Sequence, residues 1–260
     1  MRSNHLEWLA HSDRLLGIGP FSLPANDYIN TLIAWRTDTC RALLDHIEAL
    51  HGRNWIRAVI RSRQFSECLI YSFNYAEIKK NNEANDWDRT FTMLSEAAQY
   101  LKNGGATAIV LCANTMHLIA EKLETAIGLP IIHIAVVTAE DIKKKGLKKV
   151  GLLGTKFTME LDFFKSKLKA AGIEAIIPGD KDRDYIHATV FNELGKGIVT
   201  KEMKERYISI SQKLISQGAE GIILGCTEIP LVIQQGDLEV PVFDTTQLHS
   251  EAAVRFQLSL

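Results

Sequence analysis

The chain has 260 residues, 46% of them apolar, enough to bury a full core in one large domain or two small ones. Its formal net charge of -1 gives no electrostatic reason to expect nucleic acid or a membrane surface as partner. The longest apolar runs, such as 108–113, are too short to span a bilayer, and the four cysteines include no Cys-x-x-Cys pair, so a cytoplasmic protein without a disulfide framework is expected.

Residues 1–64 form an atypical first segment. Up to residue 63 it holds eight of the twelve arginines and none of the eighteen lysines, with three of the four tryptophans. Its early Glu7, His11, Asp13 and Arg14 do not resemble a secretory signal. Two readings stay open: an appended arginine-rich segment, or a stretch translated from another reading frame.

From residue 65 strands and helices alternate. Apolar, β-branched runs predict strands at 68–73, 106–112, 131–135, 149–153, 174–177, 221–224 and 240–243. Helical periodicity predicts helices at 86–102, 116–127, 138–145, 158–171, 182–194, 201–217 and 246–257. Gly104, Gly105, Gly146, Gly172 and Gly218 stand where helices should stop. Such alternation implies an α/β fold with parallel sheets, whose ligands bind beyond the carboxyl ends of the strands. Those ends are 112–115, 154–155 and 225–228.

Several simpler sites are excluded. The lysines at 143–145 and 148–149 fit a solvated helix end better than a nucleic-acid patch. Gly151-Leu152-Leu153-Gly154 is not a dinucleotide fingerprint. His117, His133, His187 and His249 lack metal-ligand spacing, so no metal is expected.

One stretch occurs twice. Residues 105–115 (GATAIVLCANT) reappear at 218–228 (GAEGIILGCTE), offset by 113 positions without a gap. Each copy is followed by a strand opened by proline, at Pro130 and Pro241. Two similar halves, each ending a buried strand in small polar residues, place a site between them. Cys226 follows such a strand, where free backbone N–H groups are expected to lower its pKa from about 8.5. In the ungapped alignment Ala113, not Cys112, matches Cys226, so Cys112 is a weaker candidate that faces away if the tips share one course.

The segments 111–117 (LCANTMH), 153–160 (LGTKFTME) and 224–230 (LGCTEIP), with Val242-Phe243-Asp244-Thr245, resemble the signatures of the aspartate/glutamate racemase family from about Ser66 onward. The resemblance implies two Rossmann-like domains related by pseudo-twofold symmetry, here 65–129 plus 238–260 and 130–237, usually in a homodimer. It implies an amino-acid racemase that uses no cofactor, a small amino-acid substrate, and thiol-mediated proton transfer at the α-carbon. Cys226 would serve one face. Asn114, Thr115 and Thr227 would fix the α-carboxylate and ammonium. Ala113, Thr155, Glu228 and Asn82, the last in a loop after Ile78, complete the candidate lining, and Lys196 or Lys156 would meet a side-chain carboxylate.

Two departures stand out. Family members carry cysteine or threonine where this chain has Ala113, and they open with a Gly-Gly-Met-Ser turn that residues 1–64 lack. Three functions follow as alternatives: a racemase for aspartate or glutamate; a one-cysteine relative such as a hydantoin racemase, decarboxylase or isomerase; and an impaired paralogue that only binds an acidic amino acid.

Overall fold

The computed structural model describes residues 31–32 and 69–258, so what the sequence suggests for residues 1–64 lies almost wholly outside the described residues. In chain order the strands are β1 (Thr31–Leu32), β2 (Tyr71–Ser72), β3 (Ile109–Val110), β4 (Ile131–Ile132), β5 (Lys149–Gly154), β6 (Glu174–Ile176), β7 (Ile222–Gly225) and β8 (Val242–Asp244). The helices are α1 (Tyr75–Glu83), α2 (Trp87–Asn103), α3 (Ala120–Ile127), α4 (Ile134–Lys144), α5 (Lys156–Glu160), α6 (Asp162–Ala170), α7 (Asp180–Asn192), α8 (Lys201–Ser216) and α9 (Thr245–Leu258). The fold is α/β with parallel sheets: β3 pairs with β4, and β5, β6, β7 and β8 form one sheet in the order β6-β5-β7-β8. β2, expected in the parallel array, pairs antiparallel with β1 instead.

The repeat is written into the packing. Helix α2 buries Thr90, Leu94, Ala97, Ala98 and Leu101, and α8 buries Met203, Tyr207, Ile210, Ser211 and Leu214. Each buried position in one helix is matched by the other at the offset of the sequence repeat. That spacing is one apolar stripe of a helix lying on a sheet. Both helices end at a glycine with positive φ, Gly105 at 98° and Gly218 at 94°, a conformation that costs glycine little. The chain then turns back identically: Ala106 N–H donates to Leu101 O and Ala219 N–H to Leu214 O, both at 3.0 Å.

Each proline-opened strand pairs with the strand of its own repeat. Ile109 N–H donates to Pro130 O at 2.8 Å, and Ile222 N–H to Pro241 O at 2.9 Å. β4 thus lies in the sheet of the first half and β8 in the sheet of the second half. The equivalence continues into the next helices. His133 Nδ1 accepts the Ala135 N–H at 3.2 Å to cap α4, and Asp244 Oδ1 accepts the Thr246 N–H at 2.9 Å at the start of α9.

Other departures from the sequence expectation are local. The helix expected at 116–127 begins as a 3-10 turn, Asn114–Ile119, and the one at 158–171 breaks at Leu161, whose ψ of 157° is extended. α4 starts four residues early because His133 caps it. Buried side chains from α2, β3 and α3 make the first core; the second half packs its own cores on both faces of its sheet.

Candidate active site

Beyond the carboxyl ends of β3 and β7 the two tips follow one backbone course. Met116 N–H donates to Ala113 O at 3.2 Å, and Ile229 N–H to Cys226 O at 3.3 Å. Ala113, extended at φ -141° and ψ 132°, therefore occupies the place equivalent to Cys226. Where a symmetric pair would put a second thiol, this chain has a methyl group. Cys112 stands one residue before that place, and its thiol is partly buried.

β5 and β7 run side by side to the site, with Gly154 directly opposite Gly225. A Cβ on Gly225 would lie 2.8 Å from Leu153 O and 3.1 Å from Thr158 Cγ2, so the strands meet as closely as glycine allows. Thr155 and Cys226 follow that pair.

Cys226 Sγ donates to Glu228 Oε2 at 2.8 Å. Burial pushes the thiol well above its ordinary range; the Glu228 charge and this hydrogen bond push it further. The Thr227 and Glu228 N–H groups point at the sulfur and pull the other way, as expected for a thiol beside free backbone donors, but they are outweighed. The helical turn after the tip is only Ile229–Leu231, so almost no dipole assists them. The expected lowering of the Cys226 pKa is thus corrected: the thiol rests protonated on Glu228.

Tyr75, at the first turn of α1, faces the same group. Burial, then the charges of Glu228 and Cys226, push its phenol up to about 12. Asn82, expected in a loop, lies on α1, seven residues on from Tyr75 and on the same face as buried Ile78. Apart from Ile78 this helix is mostly polar, which hides its period in the sequence; Asn74 fixes its start by accepting the Ala76 N–H at 3.0 Å.

Asn114 is tied to the opposite half. Its Nδ2 donates to Thr245 Oγ1 at 3.2 Å, and Thr245 Oγ1 donates to Leu224 O, on β7, at 2.8 Å. His117 holds the same tip from behind. Its Nδ1 lies 3.1 Å from Ala113 O and 3.3 Å from Asn114 O, while Nε2 accepts the Ile134 N–H at 3.2 Å, so the proton sits on Nδ1.

Three candidate side chains keep a buried polar atom without a partner: Asn82 Oδ1, Asn114 Oδ1 and Thr155 Oγ1. All three residues are more than nine-tenths buried. Orphaned buried polar atoms are costly, and those of Asn114 and Thr155, which stand just beyond strand ends, mark where a ligand's polar groups belong. The remaining candidates are less engaged: Thr115 and Glu228 are half-buried and Thr227 is exposed. Lys196 is exposed and makes no ion pair among the described residues. Lys156 turns its ammonium to Asp184. Among the described residues no group of three or more His, Cys, Asp or Glu is arranged for a metal ion, and no helix is long and apolar enough to cross a membrane.

A family model described as Asp/Glu/Hydantoin racemase matches residues 53–253. The chain belongs to this racemase family. The match opens ahead of Ser66, where the resemblance in the sequence begins. Among family relatives, the broad specificity amino-acid racemase RacX of Bacillus subtilis (strain 168) is 28% identical over 177 residues, 67% of this chain and 75% of its own. The solved structure of a provisionally assigned Asp/Glu racemase from Yersinia pestis is 40% identical with a TM-score of 0.73, over 84% of this chain and 91% of that one. An aspartate racemase homologue from Pyrococcus horikoshii OT3 is 33% identical with a TM-score of 0.65, over 85% and 95%. Tyr75 and Thr245 are not among the site residues expected from the sequence, although Thr245 stands in one of the family signatures. Tyr75 gave no signal. Thr245 did: it follows the proline-opened strand of the repeat, where a strand end meets a helix.

Proposed function

We propose that the protein is a cofactor-independent racemase of a small, acidic amino acid, with the substrate between the tips of β3 and β7, acting in the cytoplasm as a homodimer. The observation that carries it is the Cys226–Glu228 pair at the end of β7, with the orphaned polar atoms of Thr155, beyond the paired strand β5, and of Asn114, linked to β7 through Thr245. Family membership supports the reaction class.

Inverting an α-carbon needs a proton removed from one face and one delivered to the other, with donors for the charge that develops between. In the resting site Cys226 holds a proton, and Glu228, 2.8 Å away, is the acceptor through which the thiol becomes a thiolate. The thiolate takes the α-proton, and the Thr227 and Glu228 N–H groups stabilise the sulfur's charge meanwhile. Return of a proton to the opposite face restores the amino acid with inverted handedness. Ala113 carries none, and Cys112 faces away on the shared backbone course, so that proton comes from water, which the proton held by Glu228 then restores. Lys196, exposed on its 3-10 turn, remains the candidate cation for a side-chain carboxylate.

Ala113 also favours a second reading: a one-thiol enzyme that exchanges the α-proton of one enantiomer with retention. Both are tested by incubating the protein with L- and D-aspartate and glutamate in deuterated water, following α-proton loss by NMR and handedness by chiral chromatography. Exchange with inversion that vanishes in Cys226→Ala supports the racemase. Exchange with retention supports the one-thiol enzyme. Saturable binding with neither refutes both and leaves a binding protein.

A further inference from the structure

We infer that Thr245 is a positioning residue that fixes the polarity of the Asn114 side-chain amide, so that this amide offers the ligand an acceptor and not a donor. The argument is a count of hydrogens. Leu224 O is a carbonyl and can only accept, so the single hydroxyl hydrogen of Thr245 is committed to it at 2.8 Å. Toward Asn114, at 3.2 Å, Thr245 Oγ1 then has only lone pairs to offer. The Asn114 amide must present its NH2 group there. Its oxygen consequently faces the other way, where it is buried and has no partner.

Both ends of the relay are protected from competing water. Thr245 is fully buried and Asn114 is 4% exposed. The backbone of the Asn114 tip is held independently by His117, which engages the carbonyls of Ala113 and Asn114, so Thr245 need only set the amide. Thr245 itself follows β8, whose Asp244 is opposite Leu224 in the sheet, so the hydroxyl and its carbonyl partner are in register by strand pairing. The end of β7 thereby dictates how a residue from the other half recognises substrate. Resting on the racemase reading above, the group that Asn114 Oδ1 meets is the α-ammonium, the only strong donor of an acidic amino acid at neutral pH.

The test combines NMR with kinetics on the full chain. In wild-type protein the Asn114 Nδ2 hydrogens, assigned by their loss in Asn114→Asp, should exchange slowly and show an NOE to the Thr245 methyl group. Thr245→Ser should keep the slow exchange and near-normal kinetics. Thr245→Val, close in shape but without a hydroxyl, should lose the protection and raise KM for the amino acid by about tenfold, with a much smaller change in kcat. Rapid exchange without the NOE in wild-type protein overturns the assignment, and that result needs no Thr245 variant to fold. So does a folded Thr245→Val protein with unchanged KM. Absence of turnover in wild-type protein removes the racemase reading alone; the NMR result then decides the role of Thr245 by itself.

Discussion

At the scale of the residue, the instructive case is Cys226. Its position after a strand and before a helical turn suggests a thiol activated by backbone donors, and the Thr227 and Glu228 N–H groups do point at the sulfur. Burial and the Glu228 carboxylate oppose them and win, because charging a desolvated sulfur beside another anion is costly. Glu228→Gln removes the like charge while keeping a polar group of similar shape. Its thiol should titrate at lower pH than the wild-type thiol. The rate of iodoacetamide alkylation against pH, in a background lacking the other cysteines, measures this directly; an inflection that stays put or moves up refutes the role given to Glu228. This effect was not legible in the sequence. Thr227 and Glu228 adjoin Cys226 in any conformation, but only the folded tip decides whether the carboxylate turns toward the sulfur.

Elements show how far periodicity carries. α2 and α8 were readable because five buried positions recur at helical spacing in each, and the glycines after them mark their ends. α1 was not, since a single Ile78 gives no period. The start of α4 was misjudged for another reason: Ile131 to Ala135 has strand-like composition, and only the geometry shows His133 folding back as a cap. That cap belongs to a buried cluster in which the His117 ring lies 4.7 Å from His133 and 5.3 Å from His249.

Burial pushes His133 down to about 4, helped by Lys167 and His249 and opposed by Glu121. Burial does the same to His249, against its bond to Ile132 O. His117 is held low by burial and by its two neighbours. Above the ordinary value of 6.5 folded and unfolded imidazoles are both neutral, and the stability is fully present. As pH falls from 6.5 toward 4, the unfolded chain takes protons that the folded one refuses, and stability is lost, by on the order of 3 kcal/mol for one such ring. Urea unfolding should therefore show a lower free energy at pH 5 than at pH 7, and His249→Gln should flatten the dependence. Equal slopes in the two proteins would show that the cluster does not set the acid sensitivity.

For the whole molecule, the contacts that join the two halves include the Asn114–Thr245–Leu224 relay, the His117–Ile134 and His249–Ile132 bonds, the Lys167–Glu121 ion pair, and the edge of Trp87 against Phe157 at 6.0 Å. A ligand bridging the tips adds to them. Under the proposed function, an acidic amino acid at about 100 times its Kd should stabilise the protein by about 2.7 kcal/mol. The corresponding rise in unfolding temperature should shrink in Asn114→Ala; an equal rise in both proteins would place the ligand elsewhere.

By itself the sequence determined the α/β class, the internal repeat, the racemase family and the non-equivalence of Cys112 and Cys226, because hydrophobic period, glycine punctuation and residue order are local properties. Tertiary structure alone decided which sheet each proline-opened strand joins, that burial and the Glu228 carboxylate push the Cys226 thiol up, and that Thr245 links the Asn114 amide to Leu224 O. Each of these depends on what residues distant in the chain bring within a few ångströms. Desolvation and hydrogen-bond direction arise only from that approach, and no local pattern encodes them.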